Sequence, residues 1–242
     1  MGTSRIGDNM EFRTLRADEI DCRISQIASN YCTLLLYKDA RVDMNILDET
    51  VGCMNWQKHY SRDNANCIIS IWDDEKKQWI EKEDTGTESF SEAEKGLASD
   101  SAKRSGFCWG IGRELYTAPS ILIFSNKEMG KGEKGEFYQN DKGKYETKTR
   151  FWVEYIDYDK NRNIKDLVIR DNKNHIRFSE LTDETQKQFE KDLMTMKKLI
   201  EQKEEKDEKF DREKFYQYYK ATSDSTMLIE QIKDAIKKLG EE

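Results

Sequence analysis

Apolar side chains recur along the chain at two different spacings. Ile20, Ile24, Ile27, Ala28 and Tyr31 fit the helical period and predict a helix over about 18–30 with one buried face. Val42, Ile46, Leu47 and Val51 predict a second amphipathic helix, with Gly52 as its stop. Between them "TLLLYK" is a short strand-like run. Beyond Gly52 the period shortens to that of strands. "NWQKHYS", "CIISIWD" and "QWIEKED" read as three strands with Trp56, Trp72 and Trp79 among their aromatics, the last two joined through "DEKK".

A meander of this kind needs a cover on its apolar face. The segment "EKGLASDSAKRSGFCWGIGRELY" supplies one. Ser91 with Glu94, or Ser89 with Glu92, fits a capping box. From there Leu97, Ala98, Ser101, Ala102, Ser105, Cys108 and Trp109 share one helical face of mostly small residues, so the helix can lie close to a sheet. Lys103 points away from that face, Arg104 sits at its edge, and Gly110 and Gly112 end the helix.

Pro119 precedes strand-like "SILIF", residues 126–148 read as a mobile loop, and "RFWVEYIDYD" and "IKDLVIRD" predict a hairpin around "KNRN". After Glu180 the composition shifts. Phe189, Leu193, Met196 and Ile200 mark a helix running into the solvated "EQKEEKDEKFDREK", and Leu228, Ile232, Ala235, Ile236 and Leu239 mark a last one. The expected class is α+β, with a β-β-β-α core in which one helix packs an antiparallel meander, an additional hairpin and a helical C-terminal extension. The expected organisation is a core over 1–180 and a charged helical extension over 181–242.

Composition narrows the function. Charged residues make up 37% and the AVILMFWYC set 36%, so part of the chain is expected outside a compact core. The net charge of −7 supplies no global attraction for polyanions, so a nucleic-acid site must be a local feature. Cys22, Cys32, Cys53, Cys67 and Cys108 contain no C-x-x-C pair and have only His59 and His175 beside them. That pattern reads as reduced cytosolic thiols rather than a zinc site. "MGTSRIGDNMEF" lacks the apolar region of a secretory signal, and runs such as "ILIF" are too short to span a bilayer, so a soluble intracellular protein is expected.

Most catalytic patterns fail on spacing. "GKGEKGEF" lacks the Lys-Ser/Thr of a phosphate loop, and "GWGIGREL" lacks a third glycine and follows a helix. His59 has no local orienting partner. Within "WDDEKKQWIEKED", Glu75 and Lys77 resemble half of a magnesium-dependent nuclease core, although polar residues are ordinary in a turn. Nucleic-acid binding requires cations for phosphates and aromatic surfaces for bases. Lys103, Arg104 and Arg113 flank the end of the small-faced helix, Tyr37, Lys38 and Arg41 precede the second helix, and Lys58 and Arg62 border the first strand of the meander.

Residues 34–119 resemble the Rad-fifty-two-type single-strand annealing proteins in their bacterial and phage form. The matching pieces occur in order: "LLLYKDARVDMNILDETVGCMNW", then "CIISIWDDEKKQWIEKEDTGTES" with the Glu-Asp-x-Gly element at Glu83–Gly86, then the signature helix "EKGLASDSAKRSGFCWGIGRELY". The resemblance implies a β-β-β-α core that assembles into rings or filaments. It also implies a single-stranded DNA groove on the outer rim and pairing with a complementary strand without ATP, cofactor, metal or catalytic residue. Lys103 and Arg104 match the pair that contacts the DNA backbone in the family. Lys95 falls at a commonly basic position, and Tyr37, Lys38 and Arg41 match an upstream basic-aromatic stretch. Phe107 stands where eukaryotic members carry a further arginine.

The expectation is a non-enzymatic, homo-oligomeric annealing protein of homologous recombination, cytoplasmic in a bacterial or phage-infected cell. Its DNA-binding set is Lys103, Arg104, Arg41, Lys38, Arg113, Tyr37, Lys95 and Lys58. A single-strand binding protein or an exonuclease is the candidate partner of the C-terminal helices. The alternatives are a magnesium-dependent nuclease using the carboxylates of residues 73–84 and an oligomeric scaffold for recombination partners.

Overall fold

A computed structural model describes residues 10–87, 93–126 and 135–240. The expected cap serines, Ser89 and Ser91, and most of "GKGEKGEF" lie outside the described residues. In chain order the elements are β1 (Asp21–Ile27), β2 (Tyr31–Tyr37), α1 (Ala40–Val51), β3 (Trp56–Ser61), β4 (Asn66–Asp73), β5 (Gln78–Thr85), α2 (Ala93–Trp109) and β6 (Ile121–Phe124). Then come β7 (Tyr138–Gln139), β8 (Tyr145–Glu146), β9 (Phe151–Tyr158), β10 (Ile164–Asp171), β11 (Ile176–Glu180), α3 (Asp183–Lys206), α4 (Arg212–Tyr218) and α5 (Ile229–Gly240). The class is α+β. The chain forms two compact units, residues 1–20 with 37–117, and residues 21–36 with 118–242.

The first unit holds the antiparallel meander β3-β4-β5 and the helix that covers it. Register puts Lys58, Ile69 and Lys82 side by side, with Trp56, Ile71 and Ile80 in the next row. Cys67, Ile69 and Ile71 of β4 are buried on this face. α2 comes so close that its serines bond the strands' backbone directly. Ser105 Oγ accepts from Ile69 N (3.2 Å) and donates to Lys82 O (2.9 Å), and Ser101 Oγ donates to Asn64 O (3.0 Å). A β-carbon at Gly86 would lie 2.6 Å from Leu97 O and Ser101 N, so only glycine lets this corner meet the helix. Thr87 N and Oγ1 then both donate to Asp100 of α2. α1 is capped by Asp39, which accepts from Arg41 N, and closed by Gly52 at φ 84°.

The second unit is built on the six-stranded sheet β11-β10-β9-β1-β2-β6. Here the expected helix over 18–30 is corrected: β1 and the turn that follows it, in which Ala28 N donates to Tyr31 O, occupy most of that stretch, while the strand-like run "TLLLYK" falls almost wholly in β2. The spacing of Ile20, Ile24 and Ile27 fits a helix, but Ile20, Cys22 and Ile24 also alternate, and β-branched residues suit strands. Pairing of β1 with β9 decides between the two periods. Arg177 of β11 donates to Phe124 O of β6 (2.7 Å), drawing the two ends of the strand order together. The described part of the expected loop over 126–148 holds the small β7–β8 hairpin and buried Glu136, which pairs with Arg177 (2.7 Å).

α3, α4 and α5 pack on Met196, Ile200, Tyr219, Ala221, Met227 and Ala235. Thr182 caps α3, and Asp211 caps the short α4 inside the charged run. These helices are bonded to the β9–β10 hairpin. Arg170 of β10, 2% exposed and ion-paired with Glu154 of β9, donates to Ser225 O (3.2 Å) and Met227 O (2.9 Å), while Glu154 accepts from Ile229 N (2.7 Å). Among the described residues no helix is long and apolar enough to cross a membrane.

Candidate functional site

Small residues decide how α2 presents its cations. Ser101, Ala102, Ser105 and Gly106 are buried, which turns Lys103 and Arg104 outward on opposite shoulders of the helix, both partly exposed. Arg104 leans towards β5, where Nε lies 3.4 Å from Asp84 Oδ1, the two side chains being 42% and 30% exposed. A pair this long and this wet is weak, and the terminal NH2 groups of Arg104 have no hydrogen-bond partner among the described residues. The Lys103 ammonium has no ion pair among the described residues. It is close enough to the start of α1 to help hold the Asp39 carboxyl at about 2, although the larger causes are the side-chain and backbone hydrogen bonds from Arg41. Arg41, 77% exposed, is paired with that same Asp39 (2.9 Å).

Lys38 leaves the expected set. Its side chain is fully buried and ion-paired with Asp43, so it presents nothing to a phosphate. Its Nζ also lies 4.4 Å from the Phe107 ring centroid and 3.5 Å from Lys103 O. Burial pushes the Lys38 ammonium below its usual range and the Asp43 carboxyl up to about 6, the neighbouring Lys38, Lys103 and Lys58 charges pulling Asp43 back. Asp43 Oδ2 is buried without a hydrogen-bond partner among the described residues, which is part of why the charged form is disfavoured. The signal for this pair was present in the chain: Asp43 falls inside the apolar stripe Val42–Ile46–Leu47, and a carboxylate there demands a cation.

The other candidates take mixed roles. Arg113 is exposed, but its guanidinium donates to Phe107 O (2.5 Å) and Cys108 O (2.8 Å) at the end of α2, a helix-capping position. Lys82, unremarked in the sequence, reaches Cys108 O (3.0 Å) from below and lies 4.3 Å from the Trp109 ring. Lys58 is half-buried beside Met44 and Tyr60, on the α1 side of α2. Tyr37 is 40% exposed. Lys95 belongs to the first turn of α2, and its side chain lies outside what the structure describes. Tyr116 is the aromatic that sequence reasoning missed. It is 72% exposed and packs edge-on against Phe107 at 5.1 Å, one helical turn beyond Lys103. Nothing in its local sequence distinguishes it from a core tyrosine.

The possible nuclease carboxylates lie apart in role. Asp73 caps the β4–β5 turn, accepting from Glu75 N and Lys76 N, and Lys77 holds φ 51° within that turn. Among the described residues no group of three His, Cys, Asp or Glu is placed to hold a metal ion. Burial raises the thiols of Cys22 and Cys32 to about 12 and of Cys67 to about 11, which keeps them protonated and unreactive.

What remains is a ridge formed by α2, with Lys103 on the shoulder towards the start of α1, Arg104 on the shoulder towards β5, and the aromatic pair Phe107–Tyr116 one turn beyond Lys103. Such a surface can bind a phosphate chain and stack a base or sugar. In comparisons with known proteins the chain matches no family model, no curated protein and no solved structure.

Proposed function

We propose that the protein binds single-stranded DNA and anneals it to a complementary strand without ATP, acting as a homo-oligomer in homologous recombination. One observation carries the reading. Two adjacent cations stand on the outward side of a helix seated tightly on a three-stranded meander, and their terminal donors have no strong protein partner among the described residues. The ordered resemblance of residues 34–119 to the Rad-fifty-two-type annealing proteins supports it. Lys103 and Arg104 grip phosphates, Arg41 extends the grip, and the bare ring of Tyr116 offers an aromatic face. Contacts to the backbone leave base edges free for pairing, which annealing requires. Repetition of the ridge from copy to copy concentrates positive potential despite the net charge of −7.

The test is charge reversal. The Lys103→Glu/Arg104→Glu protein should fold and assemble as the wild type does, yet bind a fluorescent oligothymidylate at least about a hundredfold more weakly at ~0.1 M salt. Wild-type anisotropy curves for the folded double variant would refute the site.

A further inference from the structure

The tightest feature beneath the cation ridge is the buried Lys38–Asp43 pair, which packs against the turn of α2 that carries the ridge and against Gly112 beyond its end. Lys38 Nζ is 3.5 Å from the carbonyl oxygen of Lys103 itself, and the same ammonium lies over the ring of Phe107. Asp43 stands against Gly106, where a β-carbon would be 2.7 Å from Oδ1. At Gly112 a β-carbon would fall 2.4 Å from Lys38 Cε. The glycines of the segment thus clear a space that the pair fills, and the pair touches α2 at 103, 106 and 107, one side of one turn. Such buried pairs are seldom net stabilising, because apolar residues of similar volume do as well or better.

We propose that Lys38 and Asp43 are positioning residues that fix the rotation of α2 on the sheet, and with it the direction in which Lys103 and Arg104 meet the phosphate chain. The inference rests on the annealing reading above. It assigns to the pair a role that its contribution to folding does not explain. Ser101 and Ser105 bond α2 to the meander, and the pair holds a different flank at 103, 106 and 107, so loosening it lets that flank shift and changes how the two cations are presented.

The discriminating variant is Lys38→Met/Asp43→Leu, which removes both charges and keeps the volume close. Its melting midpoint should equal or exceed that of the wild type. Its affinity for oligothymidylate should fall about tenfold, the scale expected when a supporting shell is loosened. The slope of log affinity against log salt should shrink by about 0.7–1.4, one or two phosphate contacts on a single strand. A purely structural pair would leave that slope untouched.

Gly106→Ala, which pushes a methyl group onto Asp43, is the independent second variant and should shift the slope in the same direction. A folded variant with wild-type affinity and slope overturns the inference. So does loss of folding in both variants, because the pair would then be a requirement of the fold. If Lys103→Glu/Arg104→Glu binds normally, the annealing reading itself fails. If it loses binding while the pair variants keep theirs, only this inference does.

Discussion

Lys38 and Lys103 are both lysines near the same helix turn, and burial alone separates their roles. Lys103 stands on the outward side of α2, while Lys38 is sealed beneath it by Asp43, Phe107 and the missing side chain of Gly112. Periodicity made Lys103 and Arg104 legible, since a small-residue face defines its own opposite. It did not make Lys38 legible, since the cation's partner lies on α1 and its cover on α2. The pair also gives a pH prediction. Burial pushes the Asp43 carboxyl from the ordinary 3.8 up to about 6 in the folded protein, even with the opposing charges of Lys38, Lys103 and Lys58. The folded state therefore binds more protons than the unfolded state between those values. The associated stability is fully present below about 3.8 and is lost as pH rises through 6. In urea titrations from pH 4 to 7, the Asp43→Asn variant should gain stability relative to the wild type as pH rises. A constant difference would show that Asp43 does not titrate there.

At the scale of elements, close approach explains residues that composition leaves neutral. Serines at 101 and 105 are hydrogen-bonding struts between α2 and the strands, and Gly86 is the notch that admits the helix backbone. The elements with one strong period, α1, β3 to β5, α2, β9, β10, α3 and α5, were legible in the chain. The region of β1 was not, because its apolar spacing satisfies two periods and long-range pairing with β9 chose the strand, whereas "TLLLYK" already marked β2. β11 and α4 were hidden by their polarity. Arg170→Ala removes the link between the β9–β10 hairpin and residues 225–227 and leaves Glu154 buried without its counter-ion. It should cost about 3–5 kcal/mol. Amide exchange should accelerate over 225–240 while β3–β5 keep their protection; uniform acceleration would mean that the clasp is not local to the second unit.

For the whole molecule, the proposed binding of a polyanion by a chain of net charge −7 requires a local ridge multiplied by assembly. The affinity for oligothymidylate should therefore fall when the protein is diluted below its assembly concentration, with particle mass and anisotropy measured on the same samples. Dilution-independent affinity would show that one copy suffices. The sequence by itself determined the α+β class, the meander with its covering helix and the outward direction of Lys103 and Arg104, because hydrophobic period and side-chain size act over a few neighbouring residues. Only the tertiary structure decided that Lys38 is buried, that Arg113 caps a helix, that Tyr116 lies bare against Phe107 and that residues 21–27 are a strand. The strand over 21–27 depends on pairing with distant β9. The other outcomes depend on how α1, α2 and the segment after α2 pack together, which no local period records even though Asp43, Phe107 and Cys108 are near in the chain.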